Sequence, residues 1–388
     1  SQNYHWSKPL EEERSSILSY RNMIKFNQNK DAYQISEYPL YTDSHIIGEV
    51  NDNIGPYQFL NLGSYINEPG SVYESIMLRI SWFINPKGTY NTTTNYSNYH
   101  GGWAVDEIAA LASLRLGIRL KAGDEVRIFG GYSKDPLGMP RASHKKKPEI
   151  YFKERRPILP GVVKQVNVES LKEIQDLKTL TESQFTALVR AARQFQDAIW
   201  IAESEPELAW IMLVSSIETA ANEWASHDTS PLEKIKESKP ELSELIASKG
   251  GEELLKAIAE EISHTLGATS KFQKFCFEFM PDAPENRPIE HAQIKWSKKG
   301  FKKILSKIYN YRSIALHAGV PFPAPLCQSP DQYNPKDGLA EKGCLASAVH
   351  TLGASWSSED LPISMNAFCY FVNGTLNNWW DSIVETGS

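Results

Sequence analysis

From 181 to 204 the chain reads "TESQFTALVRAARQFQDAIWIAES". Phe185, Leu188, Val189, Ala192, Phe195, Ala198, Ile199 and Ala202 recur at helical spacing behind a capping-box pattern, Thr181-x-x-Gln184. An apolar stripe this long must be buried against other elements, so it commits the second half of the chain to packed helices. Pro206 then opens "PELAWIMLVSSIETAANEWA", with proline in the first turn, where a helix tolerates it. Helical patterns follow at 231–247, 251–265, 269–280, 298–316 and 363–384.

Before about 165 the texture differs. Tyr, Asn, Gly and Pro are frequent and the apolar runs are short, as in "SVYESIMLRISWFI" (71–84) and "EVRIFGGY" (125–132), which read as strands between turns. One helix is expected there, capped by Asp106 and carrying Ile108, Leu111, Leu114 and Leu116. The basic, proline-containing 144–161 reads as a linker or extended arm. The expected fold is α+β: a mixed, β-rich domain over 1–165, then an all-α bundle over 166–388, interrupted by a Pro/Gly/Ser-rich insertion at about 321–360.

With 388 residues, two domains are the default expectation. Net charge is −6, so any nucleic-acid contact must come from a local patch rather than a generally basic surface. Cys276, Cys327, Cys344 and Cys369 form no Cys-x-x-Cys pair and no zinc pattern, and read as reduced thiols. No apolar run reaches the roughly 18 residues of a membrane span, and "SQNYHWSKPLEEERSS" does not read as a signal peptide. A cytoplasmic protein without membrane contact, metal or cofactor is therefore expected. His100-Gly-Gly looks like the oxyanion loop of lipases, but no Gly-x-Ser-x-Gly elbow accompanies it, so a turn is expected.

The stretch "KKILSKIYNYRSIALHAGVPFPAP" carries Arg312 and His317 at the end of a basic, apolar run. "IYNYRSIALHAG" resembles the Arg-x4–6-His signature of HEPN domains, in particular their Apea-like bacterial branch. "AWIMLVSSIETAANEW", with Glu218 inside it, is similar to that branch's apolar helix, and "AFCYFVNGTLNNWWDSIV" to its closing helix. The resemblance covers roughly 180–388. It implies a HEPN-type bundle acting as a metal-independent endoribonuclease, a toxin or antiviral defence effector of bacteria. It also implies a homodimer whose two motifs face one cleft, and a defence-system or antitoxin partner protein. Ser313 follows the arginine where active members often carry Asn, Asp or His, and Gly319 replaces the tyrosine found in members silenced by nucleotidylation. The alternative is a non-catalytic HEPN module that binds RNA, a nucleotide or a protein partner.

The residue types suit RNA hydrolysis. Histidine, with an ordinary pKa near 6.5, can move the 2′-OH proton at neutral pH. Arginine stays charged and presents a fork of donors to phosphate oxygens. The two lie about 140° apart around a regular helix, so either the helix loosens before Gly319 or they reach a cleft from its floor and its rim. Between 291 and 330 there is no Asp or Glu, while Lys295, Lys298, Lys299, Lys302, Lys303, Lys307 and Arg312 fall in that run. Lys299, Lys302, Lys303 and Lys307 are the expected RNA-backbone contacts, and Trp296 and Tyr311 could stack on bases. Glu218, Tyr311 and Ser313 are the expected supports of the site. The plainer reading makes Arg312 a partner of Glu218 and His317 a helix-end cation.

Overall fold

The computed structural model describes residues 16–28, 31–65, 68–85, 93–130, 135–225, 230–262, 267–332, 334 and 336–387. A helix α1 (Leu18–Gln28) precedes the strands β1 (Gln34–Thr42), β2 (His45–Ile47), β3 (Tyr57–Asn61) and β4 (Tyr73–Trp82). Helix α2 (Ala104–Leu116) follows, then β5 (Lys121–Ala122), β6 (Arg127–Gly130), β7 (Met139–Pro140) and β8 (Gln165–Asn167). The main sheet is antiparallel, in the order β3-β4-β1-β6-β7, with β5 also on β1. The register sets Ser36 opposite both Ile80 and Ile128. From Ser36 to Thr42 every residue of β1 is buried, so this central strand is covered on both faces.

The rest is helical: α3 (Glu182–Ile201), α4 (Pro206–Trp224), α5 (Pro231–Ser238), α6 (Pro240–Ile262), α7 (Ala268–Glu278), α8 (Lys298–Ala318) and α9 (Met365–Gly387). A short hairpin of β9 (Ala348–Thr351) and β10 (Ala354–Ser357) precedes α9. The fold is therefore α+β, with a small antiparallel sheet first and a helical region after it. Thr181 and Gln184 form the expected capping box of α3. Asp106 caps α2 from its first turn rather than from the N-cap position, its carboxylate accepting the Trp103 N–H at 2.8 Å. One helix expectation needs correction. The helices expected at 231–247 and 251–265 divide differently, because the chain breaks before Pro240 and Gly251, at φ 79°, kinks α6.

Helix α2 explains how the two halves meet. Of its residues only Asp106 and Arg115 are not buried, as expected of a helix apolar on every side. It packs against α3 and α9, and one continuous core runs from Phe59 and Leu78 of the sheet through Leu111 to Phe185, Trp210 and Trp379 of the helices. A short parallel pairing of β2 with β8 joins His45 to Gln165. A fully buried arginine closes the junction. Arg119 Nη1 is 2.9 Å from Asp43 Oδ2, Nη2 donates to Glu203, and Nε donates to the Ile199 carbonyl at 2.8 Å. The basic arm at 144–161 is mostly irregular and exposed, but its end is pinned here, where Ile158 and Leu159 N–H groups donate to the same Glu203 at 2.7 and 3.2 Å.

The 321–360 stretch is folded onto the bundle. Phe322 stacks on Trp210 with centroids 5.4 Å apart, and Trp210 Nε1 donates to the Leu326 carbonyl at 3.0 Å. Buried Glu341 accepts from Arg287 Nε and Nη2 at 2.8 and 2.6 Å and from the Ile294 N–H at 2.8 Å. By contrast, α5 and α6 stand on a small core of their own, made by Ile235, Leu255 and Ala259.

Candidate functional site

Helix α8 starts with Ser297, whose hydroxyl accepts the Gly300 N–H, and runs without interruption to Ala318. Gly319, at φ 67°, ends it in the left-handed conformation that glycine adopts without a Cβ clash. Of the two alternatives, the loosening before Gly319 does not occur, so Arg312 and His317 keep their offset of about 140°. Phe301, Ile304, Leu305, Ile308 and Tyr309 are buried, and the helix packs on α4 and α7.

The buried side of α8 brings Arg312 to Glu218 of α4. Arg312 Nη2 lies 2.5 Å from Glu218 Oε2, with side-chain exposures of 20% and 16%. Tyr309, one turn before Arg312, donates its hydroxyl to Glu218 Oε1 at 2.9 Å, and the guanidinium carbon stands 5.9 Å from the Tyr309 ring centre. Burial pushes the Glu218 carboxyl above its ordinary value, opposed by the charge of Arg312 and the Tyr309 hydrogen bond. Burial, with the Glu218 charge behind it, raises the Tyr309 phenol to about 12, so it stays a donor. Arg312 Nε is buried and has no hydrogen-bond partner among the described residues. The cluster thus holds one guanidinium in place and leaves one of its donors unfilled. Sequence reasoning named Glu218 and missed Tyr309, although the three-residue spacing to Arg312 puts both on one face.

The opposite side of α8 is polar and open. Lys299, Lys302, Lys303, Ser306, Asn310 and His317 are all exposed. His317 lies about five helical turns beyond Lys299, roughly 27 Å along the same side of the helix. His317 and the three lysines therefore form a single stripe, and Arg312 faces away from it. Lys307 departs from that group: it is half-buried and its Nζ meets Asp360 Oδ1 at 2.5 Å. This hydrogen bond, then one from Ser357, holds the Asp360 carboxyl below its usual range. The run without acids in the sequence is thus given one in space by the 321–360 segment.

The two expected stacking residues have structural partners. Tyr311 donates to the Asp360 carbonyl at 2.8 Å and packs edge-on against Phe322. Trp296 donates to the Pro281 carbonyl at 2.9 Å and packs edge-on against Phe301. Ser313 is half-buried beside Arg312. His100 sits in the core, its Nε2 2.8 Å from Glu107 Oε1, while Glu107 Oε2 accepts the Ser19 N–H at 2.9 Å and the Ser19 hydroxyl; this cluster ties α1 to α2. Cys276 and Cys369 are buried, and burial raises both thiols. Among the described residues, no group of three or more His, Cys, Asp or Glu could hold a metal ion, and no helix is long and apolar enough to cross a membrane. The chain matches no family model, no curated protein and no solved structure.

Proposed function

We propose that the chain is a HEPN-type endoribonuclease that needs no metal, works as a homodimer in the cytoplasm and serves as a toxin or anti-phage effector. The observation that supports it is the stripe on α8, where exposed Lys299, Lys302 and Lys303 lead along one side of the helix to exposed His317. Such a row attracts a phosphate backbone and ends at a group able to move a proton. In this reading His317 takes the proton of an RNA 2′-OH. The freed oxygen attacks the adjacent phosphorus, the bond to the 5′-oxygen breaks, and that oxygen leaves with a proton taken from water, to which His317 returns its own. The products are a 2′,3′-cyclic phosphate and a 5′-hydroxyl.

The negative charge on the phosphorane requires a fixed cation. Glu218 and Tyr309 hold Arg312, and its remaining donors suit that role. Because Arg312 faces away from His317, we assign the complementary group to a second copy across a two-fold axis. Leu316 and Val320, both exposed beside His317, supply apolar surface for that interface.

A second reading, a non-catalytic module that binds RNA, a nucleotide or a protein partner, draws support from the ion pair that already occupies part of Arg312. Incubating the purified protein with total RNA, in EDTA and in parallel with magnesium, separates the two. The proposal expects cleavage with 2′,3′-cyclic phosphate ends. Binding without cleavage supports the second reading, and magnesium-dependent cleavage to 3′-hydroxyl ends refutes the proposed mechanism.

A further inference from the structure

A cavity of about 670 Å³ opens on the sheet beside the start of α2, within the amino-terminal half of the chain. Its walls differ from those of the α8 stripe. Trp103 rests on buried Trp82, with centroids 5.7 Å apart, yet remains 42% exposed, and Tyr33 lines the same cavity. A tryptophan left this open in a concavity offers a flat surface for a planar ligand.

Two carboxylates are recessed beside these rings. Asp124 is occupied: it accepts the His144 and Lys145 N–H groups, both at 2.8 Å, and Lys145 Nζ stands 3.5 Å from its Oδ1. Glu125 is held more loosely. Its Oε1 meets the Tyr38 hydroxyl only at 3.4 Å and its Oε2 meets Arg141 Nε only at 3.7 Å, both longer than a firm hydrogen bond. Its side chain is 26% exposed, so a ligand can reach it. Arg141 and Lys145, both exposed, stand at the cavity's edge, each in a long ion pair, Arg141 with Glu125 and Lys145 with Asp124, that leaves donors for a ligand.

We infer that this cavity binds a free guanine mononucleotide. The base stacks on Trp103. Its Watson–Crick edge presents two adjacent donors, the ring N–H and the exocyclic amine, to the under-filled Glu125 carboxylate. Adenine offers an acceptor where guanine has the ring N–H, so it is disfavoured at Glu125. The phosphate meets Arg141 and Lys145. The assignment uses no residue of α8 and is independent of the proposed ribonuclease activity.

Calorimetric titration of the full chain with GMP, AMP, UMP, guanosine and tetramethylammonium tests it. GMP is expected to bind about tenfold or more tightly than AMP. Trp103→Ala should weaken GMP by roughly tenfold or more, and a cooperative melt checks that the variant stays folded without the ring's contact on Trp82. Glu125→Gln should bring GMP and AMP together, and Arg141→Ala with Lys145→Ala should bring GMP and guanosine together. Absence of GMP binding at millimolar concentration overturns the inference. So does tetramethylammonium binding that is lost in Trp103→Ala, which would make the rings a cation cage. A single-stranded RNA with one internal guanine that binds more tightly than GMP overturns the assignment to a free nucleotide.

Discussion

Arg119 and Arg312 solve the same problem in opposite ways. Both are held by carboxylates brought from distant parts of the chain. Arg119 is completely enclosed, and each of its three nitrogens has a partner: Asp43, Glu203 and the Ile199 carbonyl. Arg312 is one-fifth exposed, has Glu218 on one nitrogen, and keeps a buried Nε with no hydrogen-bond partner among the described residues. A guanidinium whose donors are all used joins parts of a fold. One that is held by a single carboxylate and is one-fifth exposed can still meet a phosphate at the part that solvent reaches. The comparison separates a structural arginine from a candidate functional one by the donors each has left.

Removing Arg119 should have the largest effect on folding. Arg119→Ala leaves Asp43 and Glu203 as buried carboxylates without their counter-charge, and breaking such a group costs about 3–5 kcal/mol. Chemical denaturation measures it, and a loss below about 1 kcal/mol would mean that the junction does not depend on this cluster. Arg312→Ala should cost less, roughly 1–3 kcal/mol, since solvent can reach Glu218 once the guanidinium is gone. If both variants lose equal stability, the distinction between the two arginines fails.

The smallest effects are in pH dependence, and their signs differ. Glu218 has a raised carboxyl, so the folded state holds its proton more tightly than the unfolded chain does. Its contribution is present below the ordinary carboxylate range and is lost as pH rises through the raised value. Asp360 is lowered by Lys307, so its contribution is present above the ordinary range and is lost as pH falls through the lowered value. Thermal melts across this range should therefore show Glu218→Gln and Asp360→Asn diverging from the parent in opposite directions. Parallel curves would remove Glu218 as a group with a raised pKa.

What could be read from the sequence followed range of contact. The stripe of α3, its capping box and the end of α8 at Gly319 depend on near neighbours, and all were legible. Arg119 was not, because its partners Asp43 and Glu203 lie far away along the chain and nothing local marks it as buried. Lys307 was misjudged for the same reason, since Asp360 reaches it from the 321–360 segment. The long 3-10 segment at 168–179 did leave a signal. Val168, Leu171, Ile174 and Leu177, all buried, recur every third residue, which is the period of that helix. Tyr309 was within reach too, one turn from Arg312.

The central claim is that Arg312 and His317 act together on RNA. The most direct test is the cleavage rate of the parent, Arg312→Ala and His317→Ala on one defined RNA, alongside RNA binding and melting curves for each. Loss of at least about 100-fold in rate is predicted for each variant, the size expected when a stabilising donor or a proton-transfer group is removed. Binding should be largely retained, because Lys299, Lys302 and Lys303 remain in place. A folded Arg312→Ala or His317→Ala protein that cleaves at the parent rate would contradict the claim.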